Sequence, residues 1–421
     1  MGESPADTGN RRDYASAFRV ILRPPKDRFG GIMYLGRTVL VSIFVMTSHV
    51  ALASTYVYVG AAGDGTVGRY TLETNGTLKL GETVELGPPK SPSTPMAVSP
   101  DKHFLFAAVR TKPFSVVTFG IDKQTGALKK LSNGPSAHSL VYLSLDKEGH
   151  HLLGASYPGG LVSTHPVAKD GQVGEPSQVL PTARFAHSII TDRTNHWAFA
   201  PHLGADQIFQ FKFDAKTGKL TPNSPAMLQL KAGSGPRHIV MSNDNKFAYL
   251  LSEMNGTITT LALDAKTGLL SEVSAVSMLP VDSKLVPGIA HMPQGEPPGP
   301  AHDSSNDICA SDLHLTPNGK FLYAAERTSS TINTFSVDAK TGKLTRLAGT
   351  PTEKWPRSFA IDPEGKYLIA AGQQSDSISV YSIDSAGALR LTAQAPTGKG
   401  ANWVEIVSLP SPPQRGAGPR G

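Results

Sequence analysis

A short phrase returns seven times along this chain: an apolar, strand-like run followed by D-x-x-T-G-x-L or a worn version of it. Three copies share one core, Asp214-Ala-Lys-Thr-Gly218, Asp264-Ala-Lys-Thr-Gly268 and Asp338-Ala-Lys-Thr-Gly342, and a fourth reads Asp122-Lys-Gln-Thr-Gly126. Gly76, Gly171 and Gly387 mark the degraded copies. Successive glycines stand 50, 45, 47, 50, 74 and 45 residues apart. That period, with strand-like sequence between turns, is the mark of radially repeated β-sheets.

One repeat can be read and multiplied. In residues 235–276, Pro236 to Ser242 predicts a first strand and Phe247 to Glu253 a second, joined by the turn Asn243-Asp-Asn-Lys246. Asn255-Gly256 turns the chain into a third strand, Thr257 to Leu263, and the DAKTG turn leads to a fourth, Leu269 to Val276. Four antiparallel strands make one propeller blade. The inner turn recurs as Ser99-Pro-Asp-Lys102, Asp146-Lys-Glu-Gly149, Asp192-Arg-Thr-Asn195, Pro317-Asn-Gly-Lys320 and Asp362-Pro-Glu-Gly-Lys366, six copies against seven T-G turns. The mismatch means that the chain starts inside a blade. Thr55 to Ala61 serves as a second strand and Asn402 to Leu409 as its missing first strand. Pairing the two ends completes an all-β, seven-bladed propeller with no free sheet edge. W-D dipeptides and regular Gly-Gly doublets, the marks of WD40 and kelch repeats, are absent.

The propeller therefore occupies residues 54–409, and the rest needs another account. Val39 to Ala53 is an apolar run behind Arg37 that ends Ala51-Leu52-Ala53, the pattern of a secretory signal cleaved after Ala53. Its strongly apolar part, Val39 to Met46, is too short for an ordinary membrane span. An uncleaved anchor is the alternative. Met33 competes with Met1 as the start. The mature chain is expected to be periplasmic or secreted, off the membrane, with a disordered Pro/Gly/Arg-rich tail over 410–421. Without residues 1–53 the formal charge drops from +6 to +3, and no Lys/Arg-rich run supports a nucleic-acid partner. Cys309 is the lone cysteine, which excludes an intramolecular disulfide and a multi-thiolate zinc site. The sequence carries no signal for an oligomeric state.

Strand direction alternates within a blade, so the start of each first strand and the end of each second strand share one rim. Folding the hairpins about their turns sets Arg237 opposite Glu253, His187 opposite His202, His138 opposite Tyr157 and Arg327 opposite Asp312 or its neighbours. Arg357 meets Gly372 and Gln373, and Arg110 closes the first hairpin. By strand alternation His238 points away from Arg237 and reads as structural. The opposite rim reads as solvated turns. The 74-residue step places an insertion of about 26 residues at Asp282 to Asn306 on the ionisable rim, read as a lid or wall over the opening. Within and beside it, His291, His302, Asp303 and Asp307 match no strong metal-ligand spacing, so no metal or cofactor is expected.

These residues resemble the seven-bladed propeller lactonases, which include bacterial 6-phosphogluconolactonases and, more distantly, the fungal carboxymuconate cyclase. The likeness spans nearly all of residues 55–407. It rests on Gly235-Pro-Arg-His238 with Glu253, Leu322-Tyr-Ala-Ala-Glu-Arg327, Trp355-Pro-Arg-Ser-Phe359 with Gln373, and His202-Leu-Gly-Ala-Asp206 behind Ala186-His187. The resemblance implies a metal-independent lactonase whose catalytic group is His187, Arg237, Glu253 and Arg327. Arg357, Gln373, His138 and His202 are expected to bind the substrate, an anionic sugar lactone. Glu326 stands where the family has a small amide, and His202 where it has an acidic residue.

Lactone hydrolysis needs a base for water and cationic donors for the developing oxyanion. Glu253 is a candidate base or shuttle, Arg237 and Arg327 are candidate anion holders, and His187 a candidate partner for the leaving ring oxygen. The same Arg237–Glu253 pair also reads as an ion pair that locks a hairpin mouth. Two other functions stay open: an exported propeller that binds a ligand or protein without catalysis, and a lactonising cyclase acting on a carboxylated diene.

Overall fold

The computed structural model describes residues 53–410 apart from 294, 295, 298 and 300. The expected export signal, up to its last residue, and the tail beyond Pro410 lie outside the described residues. Among those described, strands form seven four-stranded antiparallel sheets. We number the blades by their first strands: 96–135, 142–181, 190–229, 236–277, 310–351 and 356–396. The seventh uses both chain ends. Ala401–Leu409 pairs antiparallel with Ser54–Ala61, Ser54 facing Leu409 and Val59 facing Val404. Thr66–Leu72 and Leu78–Glu85 complete it. In the fourth blade the strands are Pro236–Met241, Phe247–Ser252, Thr257–Asp264 and Leu269–Ser277, each end within one residue of the sequence expectation.

Burial follows strand position. The second strand Phe247–Ser252 is buried at every residue after the first, whereas the outermost strand Leu269–Ser277 is largely exposed. An inner strand lies between two neighbouring sheets and so reads as a continuous apolar run, while an outer strand wets one face. The core is accordingly divided into wedges between adjacent blades. Tyr249 and Leu251 of the fourth blade pack with Leu313, Leu322 and Phe335 of the fifth. Across the closure, Tyr58 and Val407 pack with Leu105 and Phe119 of the first blade.

The T-G turns fasten these wedges from outside. The Asp264 carboxylate accepts the amides of Lys266 at 2.8 Å and Thr267 at 3.3 Å, and Gly268 N–H donates to the Asp264 carbonyl at 2.7 Å. Gly268 then has φ = +71°, and a Cβ there would stand 2.1 Å from a ring carbon of Trp197 in the preceding blade. The pattern recurs right round the ring: Gly76 on Tyr367, Gly126 on Tyr56, Gly171 on Phe104, Gly218 on His151, Gly342 on Phe247 and Gly387 on Phe321. Each ring stands at or near the start of the preceding blade's second strand. Several of these glycine carbonyls also accept from the preceding blade, as Gly126 does from Tyr58 at 2.8 Å and Gly342 from Thr260 at 3.0 Å.

The inner turns depart from the sequence expectation of a solvated rim. Asp146 and Asp192 are fully buried. Asn195 Nδ2 donates to Asp146 at 2.9 Å and Asn245 Nδ2 to Asp192 at 2.8 Å, stitching the second, third and fourth blades together. Buried carboxylates need such partners, and turn-forming Asp and Asn supply them across the blade gap.

Substituting Gly268 by Ala should cost more than substituting Gly233, which also has positive φ (+74°) but nothing within 4 Å of its would-be Cβ. Chemical denaturation should give about 1 kcal/mol for Gly233→Ala, from backbone conformation alone. Gly268→Ala should lose about 3 kcal/mol because overpacking adds to it. Equal losses would mean that the contact with Trp197 contributes nothing.

Candidate active site

The ionisable rim is built by a repeated irregularity. In the fourth blade Pro236 pairs with Ser252 but His238 with Leu251, which leaves Arg237 as an extra, bulged residue. The sixth blade does the same at Arg357, between Pro356↔Gly372 and Ser358↔Ala371. The fifth has Ala310↔Glu326 and then Leu313↔Ala324, with one residue too many at Ser311 and Asp312. A bulge breaks strict alternation and re-aims side chains. The sequence assignment of His238 to the opposite side therefore needs correcting: Arg237 Nη1 lies 2.9 Å from His238 Nε2. The hairpin mirror drifts for the same reason. Arg327 N–H donates to the Cys309 carbonyl, so Arg327 lies across from Cys309 rather than Asp312. The bridge partner of His202 is Ala186, one residue short of His187.

Four of the expected residues meet. Glu253 Oε2 pairs with Arg237 Nε at 2.7 Å and Oε1 with Arg327 Nη2 at 2.8 Å, all three side chains being nearly inaccessible. His187 lines the same cavity of about 300 Å³ as Glu253, Arg327 and Arg357. Arg237 lies behind Glu253, not on the cavity wall, and also donates to the Ser311 carbonyl. Arg110, Ser139, Tyr157, His291 and Met292 complete much of the lining. Of these, Arg110 and Tyr157 were visible as hairpin partners. His291 comes from the inserted loop, whose spatial course no local pattern reveals.

The loop is fastened as a wall. Tyr157 Oη donates to the His291 carbonyl at 2.7 Å, and Tyr157 stacks on Phe185 with centroids 4.3 Å apart. Gly288 N–H donates to the Met254 carbonyl at 2.8 Å, and Ala290 and Met292 pack on the Phe185, Leu203 and Met254 cluster.

The other expected substrate contacts lie elsewhere. His202 is buried with Nδ1 at 2.7 Å from the Ala200 carbonyl and Nε2 at 2.6 Å from Thr182 Oγ1, so both ring nitrogens are engaged outside the cavity. His138 and Gln373 are half-buried and also absent from the lining. Glu326 is occupied as well: its oxygens accept the Cys309 amide at 2.8 Å and the Ser329 amide and hydroxyl at 2.6 Å.

Charge in the cavity is lopsided. Burial would raise the Glu253 carboxyl, but Arg327 and Arg237 overcome it and hold the group at about 2. Burial, reinforced by the cations Arg237 and Arg357 nearby, keeps the His187 imidazole well below 6.5 and hence neutral. Among the described residues neither His187 ring nitrogen has a hydrogen-bond partner. Its ring is clasped edge-on by Tyr157 and His238, at 5.6 and 5.3 Å. Arg110 reaches only hydroxyls, Ser139 at 3.1 Å and Ser93 at 2.6 Å. The Arg357 guanidinium has no carboxylate partner among the described residues, and burial beside Arg237, Arg327 and Arg110 makes its charge costly.

A metal alternative needs weighing, because Glu253, His291 and Cys309 each bring a ligand atom within 4.8 Å of the others. Both Glu253 oxygens are already held by guanidiniums, and burial pushes the Cys309 thiol up to about 12. A protonated thiol and an occupied carboxylate are a poor donor set for a cation ringed by arginines.

Comparison with known proteins agrees with this architecture. The family described as lactonase, 7-bladed beta-propeller, matches residues 50–406. The 6-phosphogluconolactonase of Serratia proteamaculans is 33% identical over 353 residues, 84% of this chain and 98% of the relative. That of Pectobacterium carotovorum subsp. carotovorum is 35% identical over 355 residues, 84% and 98% of the two chains. The periplasmic gluconolactonase of Pseudomonas aeruginosa superposes with a TM-score of 0.71 at 24% identity, over 85% of this chain and all of that one, a likeness of fold. A blade count, a closure and a family match over most of its length agree: this chain belongs to the seven-bladed β-propeller lactonases.

Proposed function

We propose that the chain hydrolyses a lactone carrying an anionic group apart from its ester ring, such as a phosphorylated or carboxylated sugar lactone, at the rim cavity and without a metal. The observation that carries this reading is a pair of groups in one cavity that have no partner among the described residues: the neutral His187 imidazole and the uncompensated Arg357 guanidinium. Water attacks the lactone carbonyl carbon and gives up a proton to His187. The carbonyl oxygen becomes an oxyanion beside Arg327. Collapse breaks the ring C–O bond, and the departing alkoxide takes the proton back from His187. Glu253 fixes Arg327 and offers its remaining lone pairs to the water or a sugar hydroxyl. Both its oxygens are held by guanidiniums, which makes it an organiser, so the base role passes to His187, whose ring nitrogens have no partner among the described residues. Arg357 and Arg110 face the substrate's own anion.

The relatives' name supports a phosphorylated sugar lactone as the first substrate to try. The apolar run Val39 to Ala53 supports export, so we further infer a periplasmic or secreted enzyme. Among the described residues no helix is long and apolar enough to cross a membrane.

A panel of neutral, phosphorylated and carboxylated lactones tests the proposal with the purified protein. Turnover on none of them moves the reading to a ligand-binding propeller. Arg357→Ala should raise KM for the anionic lactones roughly 10–100-fold and leave neutral ones unchanged; an equal effect on both classes removes the anion contact. A histidine base acts when unprotonated, and a depressed pKa extends that state to lower pH. Thus, on a carboxylated lactone, whose own anion does not titrate in this window, kcat/KM should show no acid limb near the ordinary histidine value of 6.5, remaining flat between about pH 8 and pH 6. A limb centred there would mean that His187 titrates as an ordinary, hydrated histidine. Incubation with EDTA should leave activity intact, whereas loss restored by a divalent cation overturns the metal-free mechanism.

A further inference from the structure

A line of polar groups, buried as far as Asp312, leads away from the cavity behind Glu253. Arg237 Nη1 donates to His238 Nε2 at 2.9 Å, and His238 Nδ1 lies 2.8 Å from Asp312 Oδ1. His314 Nε2 follows, 3.2 Å from Asp312 Oδ2. His238 and Asp312 are both buried, and they belong to different blades. Their meeting depends on the two bulges, one at Arg237 and one at Ser311 and Asp312.

The proton inventory of this line is determined. Guanidinium N–H groups only donate, so His238 Nε2 must present its lone pair to Arg237. The ring proton therefore sits on Nδ1 and is given to Asp312. Asp312 also accepts the amide of Leu313 at 3.0 Å and that of Phe359 at 3.4 Å. Every neighbour donates to it, the role an ionised carboxylate fills. His238 packs edge-on against Tyr142 at 5.0 Å and against His187 at 5.3 Å, which leaves the ring little freedom to turn.

We propose that Asp312 and His238 are positioning residues for the reaction: Asp312 fixes the tautomer and orientation of His238, which aims Arg237 at Glu253. Neither touches the substrate. Their effect is to keep Glu253 shared between Arg237 and Arg327 in one geometry while charge develops on the substrate. This inference rests on the reading of the cavity given above, since it assigns what holds that machinery in place.

The test compares Asp312→Ala with Asp312→Asn, and His238→Phe with His238→Gln, on the best lactone from the panel. The conservative member of each pair keeps an oxygen acceptor, for His238 in one case and for Arg237 in the other. Asp312→Ala and His238→Phe should lower kcat about 10–100-fold, a typical loss when the support of a site ligand is removed, with KM within about twofold of the parent. Asp312→Asn and His238→Gln should recover most of it. If one pair does not fold, the other decides. Parental kcat in Asp312→Ala and His238→Phe, with only a lower Tm, overturns the proposal and makes the line structural. Glu253→Gln separates the two levels. Its inactivity beside active Asp312→Ala and His238→Phe sinks this inference alone, and its full activity sinks the reading of the cavity.

Discussion

A left-handed glycine seated on a neighbour's ring is the contact on which this molecule depends. No blade has a core of its own, because its inner strands are covered only by the strands beside them. The T-G turn places a residue without a Cβ where the preceding blade presents an aromatic face, and it does so seven times. Positive φ sends the chain back into the fourth strand, and the missing side chain lets the ring close in. One residue type meets both needs, which explains why the glycine persists in Gly76, Gly171 and Gly387 when the rest of the phrase has worn away.

That double use is also why the fold was legible from the sequence. The glycine spacing gave the blade count, and the excess of T-G turns over inner turns gave the closure that pairs Ser54–Ala61 with Ala401–Leu409. Strand ends in the fourth blade follow from turn chemistry and apolar runs. Hydrogen bonds between inner turns leave no mark in the sequence, because an Asp in a turn reads the same in water as under the next blade, and only the ring brings Asn195 to Asp146.

The site was legible in part. His187, Arg237, Glu253 and Arg327 do gather, since a mirror about each turn finds residues within about three positions of the correct partner. It fails beyond that because bulges at Arg237, Arg357 and Asp312 each shift the register by one. The shift pulls His238 beside Arg237 and takes Asp312 away from Arg327. His202 illustrates the other limit. Its sequence neighbours mark the rim, but nothing in them foretells that the Thr182 hydroxyl and the Ala200 carbonyl engage both its ring nitrogens. Arg357 and Arg110 gain meaning only because no carboxylate among the described residues pairs with them.

Pairing residue 54 with residue 409 has a consequence for the order of events in the cell. Synthesis delivers the two halves of the seventh blade at opposite ends of its course, hundreds of peptide bonds apart. Until the last strand arrives, Ser54–Ala61 stays an open edge and the circle has a gap, however well the middle blades have formed. A chain without its carboxyl-terminal segment is thus an arc rather than a closed ring.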